Sequence, residues 1–104
     1  MTLALPSYRP TTIIPATGTT TVTNAAATGA DQVALAANLA RGRVIISNQN
    51  AARVMYINFG AAAGLGAGFT LQPLAYWDSG NGPCPTDDIH LLGTALDLFT
   101  VLEI

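Results

Sequence analysis

The sequence predicts an all-β fold, a single β-sandwich or jelly-roll-like barrel of roughly six to eight short antiparallel strands behind an extended N-terminal arm. Two observations carry this. Apolar residues recur with a period of two in short runs, and clusters of Gly, Pro, Asn and Asp interrupt those runs at intervals of roughly 8 to 12 residues. A third observation sets the functional question: a chain that is 50% hydrophobic has six acidic residues, four basic ones, all arginine, and no lysine.

Residues 1–30 read as the arm and residues 31–104 as the β-sandwich domain. The arm holds Pro6, Pro10 and Pro15, a threonine cluster from Thr17 to Thr23 and a small-residue run to Ala30. That composition favours extended backbone over helix, and two readings stand side by side: a disordered tail, or an extended segment with a short strand near Thr19–Thr23 lying on a neighbouring subunit. In 32–39, Val33, Leu35 and Ala37 alternate as in a strand while the alanines would also suit a helix, and strand is the preferred reading. Segments 43–48 and 53–60 are β-branched and apolar, and the turn residues Gln49-Asn50-Ala51-Ala52 between them predict a hairpin. In the second of these, Met55, Ile57 and Phe59 share one face and Val54, Tyr56 and Asn58 the other. Gly60–Gly68 is a small-residue loop. Segments 69–73, 74–77, 88–92 and 98–104 supply the remaining strands, and 78–83 is a dense turn signal.

A lone domain of this size usually carries about a quarter of its residues as charges. A charged fraction of 10% is the composition of a chain whose surface is covered by other chains, because a buried charge would have to be desolvated. Four arginines provide no basic stripe for a phosphate backbone, so nucleic acid is not an expected partner. No segment approaches the roughly 20 apolar residues of a spanning helix, and the first residues lack the basic and apolar regions of a secretory signal; no membrane partner is expected. Cys84 has no second cysteine to pair with, and no disulfide framework is predicted.

The succession Arg-Val-Ile-Ile-Ser-Asn (43–48), Val-Met-Tyr-Ile-Asn-Phe-Gly (54–60), Gly-Phe-Thr-Leu-Gln-Pro (68–73), Pro-Thr-Asp-Asp-Ile-His-Leu-Leu-Gly-Thr-Ala (85–95) and Thr-Val-Leu-Glu (100–103) resembles small β-sandwich virion proteins of tailed bacteriophages, of the capsid decoration or cement type. The resemblance covers the last part of the chain and not the arm. It implies a clamp that bridges capsomers, often as a trimer or dimer, and carries over no catalytic residue.

Candidate chemistry is sparse. Cys84 and His90 are the one nucleophile and base pair worth testing, but Cys84 lies between prolines and His90 alternates away from Ile89 and Leu91, so a structural cysteine and a surface or interface histidine are expected. Asp78, Asn81, Asp87 and Asp88 offer oxygen ligands without the spacing of an EF-hand loop. Gly64–Gly68 lacks the lysine of a phosphate-binding loop and opens a strand; it reads as a flexible loop or a place where another backbone approaches closely. Tyr76 and Trp77 beside Asp78 suggest an aromatic sugar platform, with core packing the favoured reading; adjacent strand residues face opposite ways, so at least one of the pair is expected to be exposed or at an interface. Tyr76, Trp77, Tyr8 and Arg9 are the candidate interface residues. No catalytic, cofactor or metal site is expected.

The expected function is therefore structural and not enzymatic: a phage capsid decoration or cement protein on the capsid surface of a virion assembled in the host cytoplasm. Its expected partners are the major capsid protein or other virion proteins, and further copies of itself. The alternative is a carbohydrate- or receptor-binding β-sandwich of a phage tail or fibre.

Overall fold

A computed structural model of the chain describes residues 20–80 and 82–104. The described residues form eight strands: β1 Thr21–Ala26, β2 Gln32–Leu35, β3 Val44–Asn48, β4 Met55–Phe59, β5 Phe69–Leu71, β6 Tyr76–Asp78, β7 Ile89–Leu92 and β8 Leu98–Glu103. They make two four-stranded antiparallel sheets of order β1-β8-β3-β6 and β2-β7-β4-β5. Each strand but one leads into a strand of the opposite sheet, and the two orders together are those of a jelly roll. The exception is the β4–β5 hairpin.

The core lies between the inward faces. Val44 and Ile46 from β3, with Phe99 and Val101 from β8, meet Met55 and Ile57 from β4 and Ile89 and Leu91 from β7, all fully or almost fully buried. The predicted alternation of β4 holds, with Met55 and Ile57 buried and Tyr56 partly exposed. At one end Phe59, Phe69 and Trp77 close the gap between the sheets, with ring centroids 5.3 to 6.1 Å apart. Gly68 makes the β4–β5 approach possible. Its φ is +97°, and a Cβ there would overlap the carbonyl of Ile57, the close backbone approach that the glycine-rich loop suggests.

Three expectations change. The segments 43–48 and 53–60 do not form a hairpin: β3 and β4 lie in different sheets. The reason is Asn48, whose fully buried side chain binds carbonyls on the far side of the turn and carries the chain across the sandwich. The strand expected over 32–39 ends at Leu35, and a register shift between Val33 and Leu35 puts Val33 outward, 52% exposed, out of phase with Leu35. The third concerns the arm. Part of it belongs to the sandwich, since Thr21–Ala26 pairs with β8 of the same chain, not with a neighbour, and Ala27 is buried in the core. Residues 1–19 lie outside the described residues.

Candidate functional site: a loop end of paired charges

The four connections 27–31, 93–97, 49–54 and 72–75 meet at one end of the sandwich and are tied into a row. Ala27 exchanges backbone hydrogen bonds with Asp97 (2.7 Å) and Leu96 (2.8 Å), and Gln49 N–H donates to Leu98 (3.0 Å). Asn50 carbonyl accepts from Leu74 N–H at 3.1 Å. Below the row, Asn48 Nδ2 donates to the carbonyls of Arg53, Leu71 and Gln72 at 2.9 to 3.2 Å, and its Oδ1 accepts from Asn50 N–H.

Two turns in this row share an uncommon feature. In Gln72-Pro73-Leu74-Ala75, Ala75 N–H donates to Gln72 carbonyl at 3.0 Å; in Thr94-Ala95-Leu96-Asp97, Asp97 N–H donates to Thr94 carbonyl at 3.0 Å. The third residue of each has positive φ, Leu74 at 59° and Leu96 at 75°. This is type II turn geometry, which ordinarily takes glycine at that position because a Cβ there is strained. Leucine stands there twice. Both side chains are exposed, Leu74 by 64% and Leu96 by 82%, and each leucine's own N–H is fixed by a neighbouring loop. Two open clefts flank the β7–β8 connection. One, of about 650 Å³, is lined by Gly29, Arg53, Val54, Tyr56, Leu92 and Gly93 among others; the second, of about 490 Å³, lies along Asn24–Ala26 and Leu98–Thr100.

The charged groups are spent on one another. Arg53 Nε and Nη2 grip buried Asp97 at 2.8 and 2.6 Å beneath the loop end, which holds the Asp97 carboxyl below the ordinary range. Arg43 does the same for Asp78 at 3.0 and 2.7 Å, and with Gly80 N–H it lowers that carboxyl to about 2. Arg41, fully buried, binds Glu103 at 2.7 Å and the carbonyls of Ala36, Pro85 and Asp87. His90 bridges Asp31 at 2.9 Å and Asp88 at 3.0 Å; the bond to Asp31 is the main cause that raises the imidazole above its ordinary value. Every described arginine and five of the six acidic residues are thus paired.

The sequence-predicted residues fall in different places. Tyr76, 69% exposed, stands on the outer face of the β1-β8-β3-β6 sheet, whereas Trp77 points inward into the aromatic trio, so the two do not share a platform. Tyr8 and Arg9 lie outside the described residues. Both ring nitrogens of His90 are engaged by carboxylates, while Cys84 Sγ contacts Pro85 carbonyl at 3.6 Å; the two are not brought together. Asp78 and Asp88 are taken by Arg43 and His90, Asn81 is outside the description, and no metal-holding group of His, Cys, Asp or Glu occurs among the described residues. Leu74, Leu96 and the buried Arg41 were not singled out in the sequence. For Leu74 the signal is Pro73 before it, the second position of a type II turn.

In comparison with known proteins, no family model, no curated protein and no solved structure matches this chain.

Proposed function

We propose that this chain is a structural protein of a bacteriophage virion, a decoration or cement protein that stabilises the head by bridging neighbouring capsomers. The single observation that carries the reading is the loop end: two leucines presented to solvent in turns that disfavour them, in a fold whose described charges are nearly all paired. A strained, exposed apolar residue has no use within the chain's own fold, so its place is explained by a partner surface. The resemblance of 43–104 to phage decoration proteins supplies the partner class, and the jelly-roll order is one that capsid proteins use. A ligand that binds only the assembled shell stabilises that shell by mass action. The carbohydrate-binding alternative loses its paired aromatic platform, since Trp77 is partly buried and turned toward Phe59 and Phe69 while Tyr76 faces out.

The test is a Leu74→Gly/Leu96→Gly double variant. Glycine adopts both positive φ values without strain, so the variant should melt within a few degrees of the native chain. It should lose co-sedimentation with, and protection against heat of, tailed-phage heads that lack the native protein. Unchanged attachment removes the loop end as the contact; binding to a glycan array through Tyr76 would favour the tail or fibre alternative.

A further inference from the structure

Sheet edges are liabilities, because unpaired backbone N–H and C=O groups accept any extended strand, and folded proteins block them. Three of the four edges here are blocked. β2 is short and its register shifts between Val33 and Leu35. β5 has three residues and is followed within two by Pro73. β6 also has three, and its last, Asp78, is clamped by Arg43. β1 differs in every respect. It runs six residues in unbroken register, from Thr21 opposite Glu103 to Ala26 opposite Leu98. It has no proline, no bulge and no charge, and no charged residue occurs from Thr20 to Ala30. Among the described residues no strand lies on its far side.

We propose that β1 pairs antiparallel with β1 of a second copy about a two-fold axis, joining two four-stranded sheets into one continuous eight-stranded sheet. Charge identifies the occupant. Across a two-fold axis a charged residue near the axis faces its own copy, so self-pairing disfavours charge there and a charge-free strand meets that condition in full, whereas an unrelated partner strand does not impose it. Antiparallel self-pairing centred on Asn24 places Asn24 opposite its own copy and Val22 opposite the second copy's Ala26. Val22 and Ala26 already sit beside Leu102 and Leu98 of β8, so the apolar outer face continues across the junction. Asn24 is prepared for it. Its Oδ1 accepts from Thr100 Oγ1 at 2.6 Å, which leaves the amide N–H donors for the facing asparagine, whose oxygen can accept a second bond.

This inference stands without the virion reading, since Leu74 and Leu96 are not part of β1; the two surfaces share only the smaller cleft along Asn24–Ala26. Sedimentation equilibrium of the full chain across the micromolar range should give twice the 10.7 kDa chain mass. Asn24→Asp, nearly isosteric, sets two carboxylates face to face and should yield the single-chain mass at neutral pH, with the dimer returning in acid as the carboxyl protonates. Val22→Lys should also give the single chain, and Val22 is 53% exposed, so its melting should barely move. Hydrogen exchange adds a local readout: alternate β1 amides should be slow in the native dimer and fast in either variant, while the amides bonded to β8 stay slow in both. A concentration-independent monomer, a trimer, or a dimer that survives both substitutions overturns the proposal. So does a dimer lost on Ile13→Lys/Ile14→Lys, which would make residues 1–19 the strand that covers the edge.

Discussion

Asp97 and Glu103 lie in phase on the inward side of the last strand, with Phe99 and Val101 between them, and each acidic group closes one end of the core. Arg53 meets Asp97 beneath the loop end, and Arg41 meets Glu103 at the opposite end. The two pairs differ in burial. In the first the Arg53 side chain is 53% exposed and only Asp97 is buried, whereas in the second the Arg41 side chain is wholly enclosed. Arg41 also satisfies three carbonyls in the 36–41 and 85–87 connections.

Arg41→Ala should therefore destabilise the fold by about 3–5 kcal/mol, the range for removing one partner of a buried pair. Arg43→Ala, at a more exposed pair, should cost much less. Chemical denaturation of the two variants checks the order; equal losses would mean that Arg41 does not hold the two connections together.

The strands were legible because burial follows a period of two wherever a strand spans the core, as in Met55 and Ile57 or Phe99 and Val101. The same alternation places Glu103 in phase with Val101, so an inward carboxylate was readable there, but not the arginine that meets it from a distant loop. What separated β3 from β4 was a tertiary fact. The turn 49–52 is as suitable for a hairpin as for a crossover, and only the carbonyls that Asn48 finds across the sandwich decide between them. The strained leucines were hidden for a similar reason, since positive φ is expected of glycine and nothing in Thr94-Ala95-Leu96-Asp97 announces it.

Stability should depend on pH in both directions. The folded-state value of His90 is raised by Asp31 and Asp88, so its contribution is complete below the ordinary histidine value of about 6.5 and is lost as pH rises through the raised value. Asp31, Asp78 and Asp97 are lowered; their contribution is complete above about 4 and is lost as pH falls toward the folded value, about 2 for Asp78. Melting temperature should peak between about pH 4 and 6.5. His90→Gln should flatten the alkaline limb and remove His90's share of the Asp31 part of the acid limb, leaving the part that rests on Asp78 and Asp97 in place, and a profile with both limbs unchanged would remove the His90 bridge as the cause.

Asn48 tests the crossover itself. Its amide protons serve three carbonyls in the interior of the loop end, and its removal leaves those groups without a partner at a cost of about 1–3 kcal/mol for each one that water cannot reach. Asn48→Ala should thus lower stability by several kcal/mol in denaturant titrations. Asn48→Asp keeps the shape but has no donor while ionised and sets a carboxylate against carbonyl oxygens, so at neutral pH it should be worse than alanine. In acid the protonated carboxyl regains one donor, and the gap between the two variants should close. If Asp and Ala were equally tolerated at neutral pH, the side chain would be filling space and not bonding, and some other interaction would have to hold β3 and β4 in separate sheets.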